Sequence, residues 1–321
     1  MRRIKIFFKY YRYKAVYPCL ILGLLVIIFY IYMYTAFYII PDEQITDNLV
    51  SFRIEQVGKL CPYNEDNDTE FQLLLSNVNN EDKVWASNLN ISEGGEWHPF
   101  KCSARYSVAV VIPYRNRANH LKIFMYYIHH FLQKQNIHYK IFVIEQDEKR
   151  DFNRGLLFNI GFSEVIKEKR FPCFIFHDVD LLPVNLKNIY ACSKYPRHMA
   201  VAIEKYGYKV PYDRYFGGVT SILTDQFLLV NGFSNKFYGW GGEDDDFFNR
   251  IRNSGLQVVR FGTRISKYNS LFHEEGKPSP DRYNKLYRGH ETYHIDGLNS
   301  LEYSIKKKIN ANTHVRIVVE I

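Results

Sequence analysis

The feature that most limits the fold is a regular alternation of apolar strands and amphipathic helices that begins at Ser107. Val108–Pro113 (VAVVIP) is a continuous apolar, mostly β-branched run and predicts a buried strand, while Leu121–Leu132 carries its apolar residues at helical spacing. Three further segments continue the pattern: a buried strand over Lys140–Ile144, a helix over Asn153–Lys169 and a third strand over Phe171–Phe176. Such an alternation predicts an α/β fold with a mostly parallel central sheet and helices on both faces.

Polar segments follow two of these strands, and ligands of such sheets bind at the carboxyl ends of the strands. Pro113–Arg117 (PYRNR) carries two guanidinium groups, which suit phosphate, and Tyr114, which could stack on a base. Phe152–Arg154 (FNR) adds a third arginine at the next turn from strand to helix. Incidental charge on a solvated loop is the competing interpretation of Pro113–Arg117 taken alone.

Two aspartates, Asp178 and Asp180, follow the third strand. Alternation along an extended chain points both carboxylates the same way, toward the ligand edge of the sheet. Such a pair suits Mg²⁺ or Mn²⁺, which in turn suits a diphosphate, whereas a turn capped by aspartate is the alternative. The apolar Leu181–Pro183 favours a buried site, and the distant His273 could complete the coordination, although a single histidine is more often structural.

The stretch Phe237–Arg250 (FYGWGGEDDDFFNR) combines glycines, a tryptophan and four consecutive carboxylates. Glu243–Asp246 would sit in the first turn of a helix, where the macrodipole favours negative charge. That explains the acids but not the three glycines around Trp240, which predict a mobile loop that closes over a ligand. A carboxylate behind such a lid is placed to act as a general base or to accept hydrogen bonds from sugar hydroxyls.

The amino-terminal part of the sequence predicts a membrane anchor. No charged residue occurs from Ala15 to Pro41, and about 20 apolar residues suffice to cross a bilayer. Basic residues crowd positions 1–14 and acidic residues follow the span, so the positive-inside rule predicts a cytosolic tail, an anchor over 15–41 and a lumenal remainder. A cleaved signal peptide is the alternative, but the apolar stretch is too long for it. The net charge of +8 is concentrated in the tail, which argues against nucleic-acid binding.

Residues 42–100 are polar and poor in periodic pattern, which predicts a lumenal stem and lead-in before a catalytic domain over 101–321. Two sequons, at Asn67 and Asn90, predict N-glycosylation there. Four cysteines follow the span: Cys61, Cys102, Cys173 and Cys192. An even number in a lumenal compartment predicts disulfides, and spacing leaves all three pairings open.

A nucleotide-binding edge, a carboxylate pair for a metal and an aromatic lid behind a membrane anchor together predict transfer from a nucleotide sugar. The motifs in chain order are VIPYRNRANHL, FNRG, FHDVDLLP, YFGGVT, GWGGEDDDFFNR and DGLNSL. In these six blocks the chain resembles the β-1,4-galactosyltransferases over roughly Cys61–Ile321. That family consists of type II Golgi enzymes with a GT-A fold, so the resemblance implies both for this chain.

The resemblance also implies residue roles. The UDP-sugar would be held by Pro113, Tyr114, Arg115, Asn116, Arg117, Phe152, Asn153, Arg154, Val179, Asp180, Tyr215 and Trp240. The acceptor site would comprise Gly242, Glu243, Asp244, Asp245, Arg282 and Tyr283, with Asp244 as the base and Glu243 orienting the sugar. Asp180 and His273 would bind Mn²⁺, with Mg²⁺ as a substitute, and Trp240 would close as the lid. The implied disulfides are Cys61–Cys102 and Cys173–Cys192.

Two positions bear on which member of the family this is. Tyr215 matches the tyrosine of galactose users, where relatives that prefer N-acetylgalactosamine carry a smaller aliphatic residue. Ser270 stands three residues before His273, where the vertebrate pattern has a methionine ligand, and a hydroxyl is a poor replacement for a thioether. Metal affinity would then be weaker, Mg²⁺ would be better tolerated, or another residue would fill the place of the methionine.

The sequence therefore predicts a metal-dependent, inverting transferase that moves galactose from UDP-galactose to the 4-hydroxyl of a terminal N-acetylglucosamine or related acceptor. Two alternatives remain open within the enzyme class: transfer of N-acetylgalactosamine, which Tyr215 disfavours, and a xylose acceptor, which the Arg282–Tyr283 segment disfavours. A sugar-binding membrane protein without catalysis is the third alternative, and Ser270 is the feature that points to it.

Overall fold

The computed structural model describes residues 17–18, 20–27, 37–52, 59–62, 70–73, 75, 78, 82–168, 171–274 and 276–321. The chain divides into two compact units, Met1–Tyr38 and Ile39–Ile321. In the first unit, residues 20–27 are helical and their large apolar side chains are exposed. No helix within the described ranges is both long and apolar enough to cross a bilayer. The predicted anchor over 15–41 includes residues 15–16, 19 and 28–36, which lie outside the described residues.

The sequence pattern locates the central strands and helices to within a few residues. The strands are β1 (Tyr38–Ile40), β2 (Glu96–Trp97), β3 (Ser107–Tyr114), β4 (His138–Gln146), β5 (Cys173–His177), β6 (Leu181–Pro183), β7 (Arg197–His198), β8 (Ala202–Ile203), β9 (Val219–Leu223), β10 (Val259–Phe261), β11 (Lys267–Ser270), β12 (Ser304–Asn310) and β13 (Val315–Glu320). The helices of the second unit are α1 (Ile45–Asn48), α2 (Asp82–Asn88), α3 (Ala118–Lys134), α4 (Arg154–Glu168), α5 (Thr224–Leu229), α6 (Glu243–Asn253) and α7 (Arg282–Thr292), with 3-10 turns at Asp42–Gln44, Glu204–Tyr206 and Leu298–Ser300. The predicted strands β3, β4 and β5 and the predicted helices α3, α4 and α6 are confirmed.

The main sheet is mixed, which corrects the expectation of a mostly parallel one. Its strands run in the order β10-β7-β9-β5-β3-β4-β13-β12, with β2 beside β4. The centre is parallel, because β3 pairs in parallel with both β4 and β5, and β4 with β13. However, β9 is antiparallel to β5 and β7, and β12 is antiparallel to β13. An apolar run reveals that a strand is buried but not which way it points, so the sequence pattern could not show this.

A small second sheet, β6-β11-β8, lies at the point where the chain leaves β5. Ser270 of β11 pairs with Leu181 of β6, and the amide of Leu271 donates to the Asp180 carbonyl at 2.8 Å. These bonds bring the distant segment around His273 beside the aspartates that follow β5.

The described part of the predicted stem over 42–100 belongs to the second compact unit, whose boundary lies at Ile39. Trp85 packs edge-on against Tyr126 of α3 with ring centres 5.3 Å apart, and Trp97 stacks on Tyr139 of β4 at 5.9 Å. Both tryptophans are buried in the main hydrophobic core. The segment lacks helical or strand periodicity because a few large side chains, rather than a regular face, attach it to the domain.

Both implied disulfides are present, Cys61–Cys102 with Cα atoms 4.9 Å apart and Cys173–Cys192 with 5.6 Å. Of the predicted glycosylation sites, Asn67 lies outside the described residues. Asn90 is exposed just beyond α2 and adopts a left-handed backbone with φ of 53°.

Candidate active site

The loop after β3 supplies one side of the site. Pro113 and Tyr114 are buried as the last residues of the strand, and the guanidinium of Arg316 lies 5.6 Å from the Tyr114 ring centre. Asn116 is exposed and has a φ of 52°, which turns the chain into α3. Arg115 donates from Nη1 to the Arg150 carbonyl at 2.6 Å, and its guanidinium lies 5.3 Å from the centre of the Phe152 ring. The loop therefore presents cationic groups next to the carboxyl end of β3.

Asn153 and Arg154 begin α4 and have different roles in the structure. Asn153 is fully buried, and its Oδ1 accepts a hydrogen bond from the Leu156 amide at 2.9 Å, so its side chain caps the helix. Arg154 donates from Nε to Asp178 Oδ1 at 2.6 Å and from Nη1 to Glu243 Oε1 at 3.3 Å. Its guanidinium thus connects the carboxylates after β5 with those at the start of α6.

The charge of Arg154 is stabilised by its partners. Burial disfavours the cation, but Asp178 and Glu243 more than offset that cost and raise the pKa of Arg154 overall. The third donor group, Nη2, is 3.2 Å from the Gly218 carbonyl. A cation held by three elements in this way keeps the two acidic segments close together.

Asp180 and His273 form a pair beside the end of β5. His273 Nε2 lies 2.9 Å from Asp180 Oδ2, and Arg117 Nη1 lies 3.8 Å from Asp180 Oδ1. Burial would raise the pKa of Asp180, but the hydrogen bond from His273 and the charge of Arg117 leave that pKa lowered. Asp178 has the opposite shift, because burial raises its pKa more than Arg154 lowers it. Val179 between them is buried.

The donor atoms of this pair fit a divalent cation. A carboxylate oxygen and an imidazole nitrogen face each other across 2.9 Å, and carboxylate and imidazole donors together suit Mn²⁺. Among the described residues, no group of three or more His, Cys, Asp or Glu side chains could hold a metal ion. A cation bound by Asp180 and His273 would therefore complete its coordination with oxygens from a diphosphate and water.

Ser270 is held near this pair by its backbone. Its amide donates to Glu204 Oε2 at 3.0 Å, and Glu204 begins the 3-10 turn that follows β8. No pattern in the sequence indicates that this carboxylate lies beside Ser270, because Glu204 is far from Ser270 along the chain and belongs to no recognisable motif.

The acidic stretch begins helix α6, as its sequence predicts, and Gly242 precedes the helix with a φ of 95°. A Cβ at Gly242 would lie 2.9 Å from Phe237 Cε1, so only glycine fits there. Glu243 is buried, and burial together with the neighbouring Asp244 raises the pKa of Glu243 to about 7. Burial likewise raises the pKa of Asp244, which makes its carboxylate a stronger base. Asp245 accepts a hydrogen bond from the Tyr212 hydroxyl at 3.0 Å.

Trp240 is 47% exposed and lies on the segment that precedes these acids. Its amide donates to the Lys277 carbonyl, and its carbonyl accepts from the Ser279 amide, both at 3.0 Å. The guanidinium of Arg282 lies 5.4 Å from the Trp240 ring and 4.7 Å from the Tyr283 ring. The predicted lid and the predicted acceptor residues of α7 therefore share one surface.

The segment Tyr215–Gly218 separates the two sides of the site and is called the wall below. The Tyr215 side chain is buried. A Cβ at Gly217 would lie 2.7 Å from Asp244 Oδ2 and 2.9 Å from the Tyr215 ring, so the glycine leaves room for both groups. Gly218 also accepts from the Asp178 amide at 3.2 Å. The wall therefore touches Asp178, next to the Asp180–His273 pair, and Asp244 of α6.

The sequence of this chain matches two protein-family models and several known proteins. Profiles of two regions match: the N-terminal region of glycosyl transferase group 7 over residues 61–193, and the N-terminal domain of galactosyltransferase over residues 197–274. The chain is 42% identical to human beta-1,4-galactosyltransferase 1 over 241 residues, which is 74% of this chain and 61% of the relative. It is 43% identical to human beta-1,4-galactosyltransferase 6 over 244 residues, covering 74% of this chain and 64% of the relative. The match spans about 60% of the length of such relatives.

Solved structures show the same fold. The catalytic domain of Drosophila beta1,4-galactosyltransferase 7 in complex with xylobiose aligns with a TM-score of 0.59 and 29% identity, over 67% of this chain and 94% of that one. A variant of the same enzyme, in complex with manganese, UDP-Gal and xylobiose, aligns with a TM-score of 0.58 and 28% identity, over 67% of this chain and 94% of that one. The fold is thus GT-A-like, with a mixed sheet and flanking helices.

Proposed function

Because the chain belongs to the β-1,4-galactosyltransferase family, we propose that it transfers galactose from UDP-galactose, with inversion, to the 4-hydroxyl of a terminal N-acetylglucosamine or related acceptor on glycoproteins or glycolipids. The observation that carries the proposal is the bridge formed by Arg154. Its guanidinium bonds Asp178, which lies two residues before Asp180 of the metal pair, and Glu243, which adjoins Asp244. One side chain therefore bridges the groups proposed to bind the donor and the groups proposed to bind the acceptor.

Asp244 takes the proton in this mechanism. An inverting transfer is one displacement at the anomeric carbon, so a single base that deprotonates the attacking hydroxyl suffices. Asp244 is suited to that role because burial raises its pKa while Arg154 keeps it ionisable. Glu243 would orient the acceptor, and Arg282 and Tyr283 would receive its N-acetyl group.

The leaving diphosphate needs positive charge. Arg115 and Arg117, on the loop after β3, would bind the phosphates. Asp180 and His273 would hold Mn²⁺, which neutralises the charge that develops on the diphosphate oxygens. The manganese and UDP-Gal complex of the Drosophila relative supports this choice of metal and donor. Ser270 supplies a hard oxygen rather than a soft sulfur, so Mg²⁺ should support more activity than a thioether would permit.

The proposal is tested by UDP release from the purified protein with UDP-galactose and an N-acetylglucosaminide, with Mn²⁺, with Mg²⁺ and with chelator. Acceptor-dependent release that chelator abolishes is the expected result. Acceptor binding without any metal-dependent UDP release would instead support the sugar-binding alternative.

The same assay identifies which donor sugar is transferred and which acceptor sugar receives it. A xyloside acceptor is included because the Drosophila relative was crystallised with xylobiose. UDP-N-acetylgalactosamine is included as donor, and we expect Tyr215→Leu to shift preference toward it by making room for the acetamide. A wild-type protein that prefers UDP-N-acetylgalactosamine would overturn the choice of galactose.

We further propose a single-pass, type II Golgi location with the catalytic domain in the lumen. The uncharged span over 15–41 behind a basic tail supports the orientation. In sealed microsomes, protease should leave residues 42–321 intact, and glycosidase treatment should lower the mass if Asn67 or Asn90 carries a glycan. Digestion of the catalytic domain without detergent would contradict this topology.

A further inference from the structure

Two buried residues outside the predicted site lie directly behind the wall formed by Tyr215–Gly218. His198 ends β7 and Arg260 is the middle residue of β10, and the two are partners in a parallel strand pair. His198 has no exposed surface, and Arg260 is 5% exposed. Burial of a guanidinium is costly unless its donors are satisfied, so its hydrogen bonds indicate what it supports.

The two side chains hold the wall by its backbone. Arg260 donates from Nη2 to the Tyr215 carbonyl at 2.5 Å and from Nε to His198 Nδ1 at 3.0 Å. His198 Nε2 lies 2.9 Å from the Gly217 carbonyl. One edge of the guanidinium therefore bonds the Tyr215 carbonyl and also the imidazole of His198, which in turn reaches the Gly217 carbonyl.

The chemistry of these groups fixes the histidine tautomer. A guanidinium only donates, so His198 Nδ1 must be the acceptor and cannot carry a proton. The proton must then be on Nε2, from which it is donated to Gly217. Burial and the neighbouring Arg260 hold the pKa of His198 well below its usual range, which agrees with a neutral ring.

The front of the wall faces the reacting groups. Tyr215 is the residue proposed to discriminate between donor sugars, and the Gly217 Cα lies against Asp244. The Gly218 carbonyl accepts from Arg154. A backbone shift at Tyr215 and Gly217 would therefore move the surface proposed to contact the donor sugar, whereas the proposed phosphate ligands Arg115 and Arg117 lie on a separate loop, after β3.

We propose that His198 and Arg260 are positioning residues that fix the backbone of Tyr215–Gly218 and thereby set which donor sugar the site accepts. The consequence for sugar choice rests on the proposed function, whereas the support of the wall does not.

The kinetic test compares Arg260→Lys, His198→Leu and His198→Gln. Lysine keeps a charge but loses the two-pronged edge, leucine removes both bonds of the imidazole, and glutamine can still donate to Gly217. We expect Arg260→Lys and His198→Leu to raise KM for UDP-galactose about ten-fold, as expected for losing a charge-assisted hydrogen bond, and to raise relative use of UDP-N-acetylgalactosamine. The change in kcat should be smaller, UDP affinity should stay within about two-fold, and His198→Gln should be milder.

His129→Gln is the matched control. His129 is also fully buried and bonded on both nitrogens, to the Tyr139 hydroxyl and the Thr313 carbonyl, but it contacts no part of the wall. This variant should lose stability without changing donor preference. Folded Arg260→Lys and His198→Leu proteins with the wild-type KM and donor ratio would overturn the proposal.

Two measurements do not depend on transfer. Ring nitrogen NMR of the ¹⁵N-labelled wild-type protein, with His198 assigned from His198→Gln, should show the neutral Nε2–H tautomer from pH 5.5 to 8. An Nδ1–H tautomer or a charged ring would overturn the proposed arrangement. Amide hydrogen exchange over residues 215–218 should be faster in Arg260→Lys and unchanged in His129→Gln. If both results hold in a protein that transfers no galactose, the proposed function fails but the positioning role stands.

Discussion

Arg154 illustrates what a single residue type can and cannot reveal. Its place after a strand predicts phosphate binding, because arginine suits that anion. In the structure its Nε and Nη1 instead bond Asp178 and Glu243. Both carboxylates are far from it along the chain, so no local pattern could pair them with it. The residue therefore connects the two halves of the site whether or not it also reaches a phosphate.

The identity of the base is the first prediction at the scale of residues. Asp244→Asn removes the proton acceptor but keeps the size of the side chain, so transfer should fall by at least about a hundred-fold. UDP binding should be retained, since it depends on the loop after β3 and on the metal pair. Product formation and calorimetric binding of UDP measure the two effects.

Asp147→Asn serves as the control, since this exposed aspartate pairs with Lys306 at 3.4 Å and lies outside the site. Wild-type rates in Asp244→Asn would exclude Asp244 as the base.

A second residue-scale prediction concerns Glu243, whose pKa burial and Asp244 raise from 4.5 to about 7. The folded protein therefore binds this proton more tightly than the unfolded chain does, and the group costs stability progressively as pH rises from about 4.5 to about 7. Glu243→Gln should remove that dependence. The melting temperature of the variant relative to wild type should be higher at pH 8 than at pH 4.5, by a difference corresponding to about 3 kcal/mol.

Glu320→Gln, at an exposed position on β13, should show no such dependence. An equal difference in melting temperature at both pH values for Glu243→Gln would contradict the assignment.

At the scale of elements, the contact between α6 and α7 depends on one glycine. A Cβ at Gly289 of α7 would lie 2.2 Å from Asp246 Oδ1 of α6. The other oxygen, Oδ2, accepts from Arg250 Nε at 2.6 Å, and Arg250 also donates to the Asp296 carbonyl at 2.5 Å. This buried network links α6, which carries the proposed base Asp244, to α7, which carries Arg282 and Tyr283.

Gly289→Ala should therefore push the two helices apart. The added methyl group would displace the Asp246 carboxylate, with a cost of about 1–3 kcal/mol for overpacking. KM for the acceptor should rise several-fold because Arg282 moves with α7, whereas KM for UDP-galactose should change little.

Gly262→Ala is a suitable control, since a Cβ there meets its nearest atom at an ordinary 3.5 Å. An unchanged acceptor KM in Gly289→Ala, with a folded protein, would refute this account of the contact.

At the scale of the whole molecule, the disulfides tie distant parts of the compact unit together. Cys173–Cys192 closes a loop between residues 19 apart in sequence, and both cysteines are buried. Replacing both by alanine should cost about 3 kcal/mol by the loop-entropy estimate. That corresponds to a fall of roughly 5–10 °C in melting temperature for a domain of this size.

Thermal unfolding with and without reductant measures this effect, because reductant should lower the melting temperature of the wild type more than that of the variant. Equal melting temperatures for the oxidised wild type and the variant would show that the bond does not stabilise the fold.

The fold was predictable from the sequence in the segments where apolar residues recur at a regular spacing. Val108–Ile112 and the strands beside it are apolar on both faces, and α3 repeats its apolar residues at helical spacing, so each pattern identified an element. Strand direction was not predictable, and neither was the packing of Trp85 and Trp97 into the core, because both depend on contacts between segments far apart in sequence.

The sequence by itself determined which chemical groups are present and which local structures carry them: arginines and carboxylates at strand ends, four acids at a helix start, and glycines around a tryptophan. Only the tertiary structure decided which of those groups meet. It paired Asp180 with His273, joined Asp178 to Glu243 through Arg154, and placed His198 and Arg260 behind Tyr215. The physical reason is that local propensities act over a few residues, whereas charge pairing and buried hydrogen bonds are decided by how the sheets and helices pack.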